Sequence, residues 1–240
     1  LTEHDMHYFL PEIDDSVEKI AYAASTGGAD FSTDESNEMI QCLQRFKNIS
    51  VRESASKEAL NQRLKEKNIE IVLDPVFLTT QSNWLPVKKD YILFFKMGYS
   101  KTAEPALEFA KKLSEETGYE LLMLWDQETW FKYRDVKHIG AAGPAEFLQW
   151  IAGAKCVVTN SFHATAFSII LNTPFYVETE IERKDRVLNI LNIFKLEKCG
   201  LVKGKSANGL NIPKIEWNVV NLLLDNERHR SLDYIDRILK

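Results

Sequence analysis

Three cysteines, no long apolar run and no basic block narrow the possibilities for this chain before any motif is read. Cys42, Cys156 and Cys199 are scattered among 240 residues and form no CxxC pair. That suggests neither a zinc site nor a disulfide framework, and a reducing cytoplasm suits it best. The longest apolar stretch, Ala164 to Leu171, is broken by Thr165 and Ser168. It falls well short of the roughly 20 residues that span a bilayer. No transmembrane segment is therefore expected; the expected location is the cytoplasm, with peripheral attachment at the inner face of a membrane left open. Lys and Arg number 30 against 35 Asp and Glu, a net charge of −5, and the cations are nowhere clustered. Nucleic-acid binding, which draws on clustered cations to release counterions, is not expected. Internal repeats and low-complexity segments are missing too. So is an initiator Met: Leu1 opens a polar and aromatic stretch to Asp15 with no signal-peptide pattern. The chain is expected to be a piece of a longer protein.

What is present is an alternation of apolar strands and amphipathic helices. Residues 19–25, 49–53 and 70–74 read as buried strands, the last closed by Pro75, with helices over 37–46 and 56–67 between them. Spacings near 25 residues are those of βαβ units. The stretch Gln81 to Lys89, with Pro86 and two lysines, breaks the pattern. A second series follows: strands over 90–97, 119–125, 155–160 and 175–178, and helices over 103–116, 144–154, 161–171 and 185–194. Two helices are expected between Ile215 and Leu239. The fold class is α/β, with two parallel-sheet domains over 1–84 and 85–240, the last helices able to cross back to the first domain.

Ligands of such sheets bind beyond the carboxyl ends of the strands, which directs attention to the polar residues there. The strongest candidate is Val157 to Ser168, where a buried strand turns directly into a helix. Ser161 is placed as N-cap, and the backbone N–H groups of Phe162 and His163 behind it suit a phosphate or carboxylate. His163 lies in that first turn, where an imidazole can hold or give a proton near neutrality; the alternative is that Ser161 merely caps and His163 packs. Asn160 ends the strand. Arg52 ends the strand 49–53 and either faces the crevice or pairs with Glu53 or Glu58. Arg186 opens a helix, where a cation opposes the macrodipole, so it answers either to a ligand or to Glu182 or Asp185. Glu146, after Gly143-Pro144, suits a helix start on electrostatic grounds alone. Asp74 most often caps a turn. Ser25 precedes Gly27-Gly28, a weak phosphate-loop signal because neither GxGxxG nor GxxxxGK[ST] follows.

The ordered segments Lys19-Ile-Ala-Tyr-Ala-Ala-Ser25, Ile49-Ser-Val-Arg-Glu53, Val72-Leu-Asp-Pro75, Gly143-Pro-Ala-Glu-Phe147 and Val158-Thr-Asn-Ser-Phe-His163 together resemble the polysaccharide pyruvyl transferase family. The tail Asn226-Glu-Arg-His-Arg-Ser-Leu232 is similar to that family's last helix. The resemblance runs from about Tyr8 to Leu239. It implies a glycosyltransferase-B-like pair of Rossmann-like domains, the first incomplete here because its opening strands lie upstream. It implies phosphoenolpyruvate as donor, and a sugar of a cell-surface glycan or lipid-linked oligosaccharide as acceptor. By motif, Arg52 corresponds to a donor-binding arginine and His163 to the family's helix-start histidine. One departure stands out. Some members carry an arginine where this chain has Ser161, so Arg186 or Arg183 is expected to supply the charge.

Ketal formation calls for a general acid, a general base and a stabilised leaving phosphate. The expected catalytic residues are His163 and Arg52. Ser161, Phe162, Asn160, Arg186, Ser25, Asp74 and Glu146 are expected around the substrates, and neither a metal nor a cofactor is expected. Two rival readings stay open at this point: a nucleotide-sugar glycosyltransferase of the same fold, and a non-catalytic glycan-binding module.

Overall fold

A computed structural model describes residues 3–29, 31–33, 36–79, 90–97, 103–124, 133, 136–140, 142–180 and 184–240. The chain falls into two compact units, Leu1–Leu78 with Asp225–Lys240, and Thr79–Leu224. The expected break at Gln81 to Lys89 lies outside the described residues.

The first unit is built on three parallel strands in chain order, β1 (Ile20–Ala24), β2 (Asn48–Val51) and β3 (Ile69–Ile71). Helices α1 (Asn37–Gln44) and α2 (Ser54–Asn61) make the crossovers. Ile40, Leu43, Phe46, Ile49, Val51, Leu60 and Leu64 form their common core. The C-terminal half of the last helix packs here as well: Tyr234 and Ile238 bury against Ala23 and Val72, and Ser231 Oγ accepts the Leu73 N–H at 2.9 Å.

The second unit carries a seven-stranded sheet. Its strands are β4 (Tyr91–Phe95), β5 (Glu120–Leu124), β6 (Lys137–Ile139), β7 (Cys156–Thr159), β8 (Phe175–Glu178), β9 (Gly200–Val202) and β10 (Lys205–Ser206), in the spatial order β10-β9-β8-β7-β4-β5-β6. All pairings are parallel except β9 with β10. The crossovers include α3 (Ala103–Thr117), α4 (Pro144–Gly153), α5 (Phe162–Ile170) and α6 (Lys184–Ile193). Strands β7 and β8 are buried along their whole length, as central strands covered on two faces must be. Helix α5 is buried almost all round, yet contains Thr165 and Ser168. Their hydroxyls donate to the carbonyls one turn back, Ser161 and Ala164, at 2.8 and 2.7 Å, so no buried polar group is left open.

Three features depart from expectation. The tail is one helix, α7 (Trp217–Ile238), not two, because its 22 residues contain neither Gly nor Pro to stop it. Strands β6, β9 and β10 went unseen because two or three residues are too few to show alternation. The opening stretch holds a 3-10 helix over Glu3–Phe9.

Candidate functional site

In the second unit the chain starts in the middle of its sheet. From β4 it runs outward through β5 and β6, then returns to the opposite flank through β7, β8 and β9. The direction therefore reverses between β4 and β7, and a crevice opens at the carboxyl ends of strands at such a switch point. The residues there are Lys96 and Met97 after β4, and Asn160 to His163 after β7. Asn160 bridges the two strand ends: its Oδ1 accepts the Met97 N–H at 2.7 Å and its Nδ2 donates to the Met97 carbonyl at 3.2 Å. Thr159 Oγ1 donates to the Phe95 carbonyl at 2.6 Å and accepts the Ser161 N–H at 2.9 Å. The turn into α5 is thus clamped to β4 by two polar side chains, and Asn160 shapes the crevice through its hold on the backbone.

Ser161 is the N-cap of α5, with extended backbone and its Oγ accepting the Ala164 N–H at 3.4 Å. Phe162 turns inward and is buried, whereas His163 points to solvent. The two rings meet edge to face at 5.4 Å. From α6, Arg186 lays its guanidinium over the Phe162 ring, 5.6 Å from the centroid, within cation–π range. Helix start, imidazole and guanidinium are therefore gathered around one aromatic ring, on the ends of the neighbouring strands β7 and β8. Arg186 is one of the two cations expected to make up for the serine at position 161; Arg183, the other, lies outside the described residues. Glu146 is exposed on the first turn of α4 and folds back over its own helix start. Its Oε2 stands 2.7 Å from where a Cβ on Gly143 would be, a placement that suits the positive end of the helix.

The first unit gathers a second set. Arg52 follows β2 and its N–H still pairs with the Ala24 carbonyl at 3.2 Å, so it lies at the carboxyl edge of the sheet. Its Nη1 donates to Asp74 Oδ2 at 2.5 Å, and its Nε lies 3.7 Å from Glu53 Oε2. Arg52 is thus an ion-paired residue with 21% of its side chain exposed; of the two partners expected for it Glu53 lies within reach, and Asp74 is one that was not expected. Asp74 performs two tasks. While one oxygen binds Arg52, Oδ1 accepts the Val76 N–H at 3.0 Å and caps the 3-10 turn Pro75–Leu78. Ser25, half-buried, accepts the Gly27 N–H at 3.2 Å, and positive φ at Gly27 and Gly28 lets the loop turn away from β1. Glu53, a partner expected for Arg52, brings two residues into this set that were not foreseen, Ser56 and Thr26. Glu53 Oε1 accepts from the Ser56 hydroxyl, which in turn accepts the Thr26 N–H at 3.0 Å. The only available signal was the spacing of Glu53 and Ser56, one helical turn apart.

Among the described residues no group of three or more His, Cys, Asp or Glu could hold a metal ion, and no helix is long and apolar enough to cross a membrane. Burial pushes the Cys156 thiol well above its ordinary range, and it lifts Cys199 to about 12.

Two parallel α/β units with polar strand ends define the class: this is the glycosyltransferase-B type of fold. Solved structures bear this out. The chain is similar to UDP-GlcNAc 2-epimerase from Methanocaldococcus jannaschii in complex with UDP-GlcNAc and UDP, with a TM-score of 0.54 and 15% identity over 96% of this chain and 70% of that one. It is also similar to OtsA in its apo form, with a TM-score of 0.56 and 9% identity over 99% of this chain and 76% of that one. Arabidopsis thaliana UGT89C1 matches with a TM-score of 0.55 and 10% identity, over 92% and 66%. At such identities the likeness is one of fold, and the chain spans about two thirds to three quarters of these structures' lengths. No curated protein matches it. The family is decided by another match: the model of the polysaccharide pyruvyl transferase family fits residues 3–179. The chain belongs to that family of transferases.

Proposed function

We propose that this chain forms the greater part of an enzyme that moves pyruvate from phosphoenolpyruvate onto a sugar of a surface polysaccharide, forming a cyclic ketal. The observation that carries the reading is the His163–Phe162–Arg186 arrangement at the switch point of the second sheet. A donor bearing a phosphate and a carboxylate needs cations and open N–H groups close together, and a guanidinium beside a helix start supplies both. His163, exposed and with no hydrogen-bond partner among the described residues, is available to move a proton. The family resemblance assigns a donor-binding role to Arg52 as well.

The chemistry balances without a cofactor. The donor's methylene carbon gains a proton and becomes the methyl group. Two sugar hydroxyl oxygens bond to the central carbon as its bond to the phosphate oxygen breaks. Of the two hydroxyl protons released, one replaces the proton taken up at carbon and the other leaves with the phosphate. The acceptor is a glycan or a lipid-linked oligosaccharide, and the reaction would take place at the cytoplasmic face of a membrane.

The test is incubation of the full-length protein with phosphoenolpyruvate and candidate oligosaccharides, followed by mass spectrometry. A product heavier by one pyruvate less one water, with release of one phosphate, is expected. Turnover of a nucleotide sugar with no use of phosphoenolpyruvate would replace this reading with that of a glycosyltransferase.

A further inference from the structure

Helix α6 ends at Ile193, and the chain passes through Lys195 to Cys199 into β9, which runs parallel to β8. Residues 194–199 therefore lie at the amino edge of the second sheet, the edge opposite the crevice. The segment Pro213 to Glu216, which leads into α7, lines a concavity of about 260 Å³ together with them. Its wall is largely apolar, drawn from Phe194, Leu196, Ile215, Val219 and Val220. Phe194, Leu196 and Val220 are buried, whereas Val219 is 48% exposed.

Three exposed lysines, Lys195, Lys198 and Lys214, line the same concavity. Their ammonium groups make no ion pair and no hydrogen bond among the described residues. Glu216 also lines it but pairs with none of them, and neither does the exposed Glu197. From Lys195 to Glu216 the chain carries five lysines against two glutamates, hence +3, in a protein of −5. Like charges around one small cavity repel one another, and an anion between them relieves the repulsion. The lysine positions are held by the backbone. Lys195 leaves α6 in the left-handed conformation (φ 57°), where glycine commonly ends a helix. Its N–H and that of Leu196 close on the Asn192 and Leu191 carbonyls at 3.3 and 2.7 Å. The turn at Lys198 is pinned from the side of β10, because Asn208 Nδ2 donates to its carbonyl at 2.9 Å.

We propose that this concavity is a binding site for a small amphiphilic anion, a phosphate or carboxylate carried on a short alkyl or aryl body. The body lies against Leu196, Ile215 and Val219, and the lysines hold the anionic group as point charges. A hollow with an apolar wall and a few convergent polar groups is the usual form of a small-molecule site. This one is smaller than the roughly 300–1,000 Å³ of sites for drug-sized ligands, so its ligand is compact. A membrane or a protein face would meet a convex surface, not a hollow.

The probe is phenyl phosphate, titrated into the isotope-labelled full-length protein and followed by amide NMR shifts. Saturable shifts at residues 194–199 and 214–220 are expected. Lys198→Gln combined with Lys214→Gln should weaken binding there by about tenfold or more, the size of a lost charge-assisted bond. Val219→Glu, which sets an anion beside the site, should also weaken it. Inorganic phosphate carries the charge without the body and benzyl alcohol the body without the charge, so each should bind there about tenfold more weakly. Inorganic phosphate binding as tightly as phenyl phosphate would reduce the site to surface cations and overturn the proposal. So would shifts confined to Phe162 and His163, which would place the probe in the crevice alone. Binding that is unchanged in both variants overturns it, as does the lack of any shift in the two stretches. Capture by vesicles of anionic phospholipid without binding of the probe would replace it with a membrane contact.

Discussion

Replacing Arg52 by Met, which keeps the length and apolar stem but removes the charge, should cost stability as well as donor binding. The lost bond is charge-assisted, and such bonds contribute about 1.5–3 kcal/mol. More important is what remains: Asp74, 6% exposed, and Glu53, 3% exposed, both lose the cation they pair with. Breaking a buried pair from one side costs roughly 3–5 kcal/mol. The Arg52 side chain is about one-fifth exposed, so water relieves part of that penalty, and a loss of about 2–3 kcal/mol follows. With a urea m-value of about 2 kcal/mol/M the midpoint should fall by about 1 M. Amide exchange of residues 48–51 in β2 reports this change and is the assay of choice. A second substitution sharpens the test. Adding Glu53→Gln to Arg52→Met removes one uncompensated carboxylate and should recover about 1–2 kcal/mol, so the double variant should be more stable than the single one. A change below about 0.5 kcal/mol for Arg52→Met would refute the reasoning, since it would place the pair among ordinary screened surface contacts.

His163→Gln should leave stability within about 0.5 kcal/mol, because the side chain is exposed. Pyruvyl transfer should fall by about 10²–10⁴-fold; turnover and melting temperature measured on one preparation separate a proton-transfer role from a packing role. Gly204→Ala should destabilise by about 2–4 kcal/mol by thermal unfolding, since φ is +69° and a Cβ there would stand 2.3 Å from the Pro105 carbonyl oxygen. Cys156 and Cys199 should resist alkylation in the native protein at pH 8, because burial holds both thiols protonated. Their raised values also fix a sign. The unfolded thiols ionise first, near pH 9, so the contribution is whole below that and is lost as pH rises toward about 12; Cys199→Ala should flatten this alkaline limb of the stability curve.

The local pattern of this sequence was enough for the elements that are long or wholly apolar. Strand β4 reads Tyr-Ile-Leu-Phe-Phe, α3 shows helical spacing over 15 residues, and Pro144 after Gly143 marks the start of α4. The capping role of Ser161 was equally legible, because a cap is a matter of neighbours in the chain. So was the family, which rests on the order of short segments. Tertiary structure alone decided the rest, and in each case the reason is distance along the chain. Strands β9 and β10 exist because the sheet edge beside β8 offers partners, not because two or three residues favour extension. Arg186 meets Phe162 only because β7 and β8 are neighbours, which brings the ends of α5 and α6 together. Arg52 is paired rather than solvated because Asp74, 22 residues later, arrives at the end of the adjacent strand. The burial of Glu53 is a property of everything packed around it and of no residue beside it in the chain.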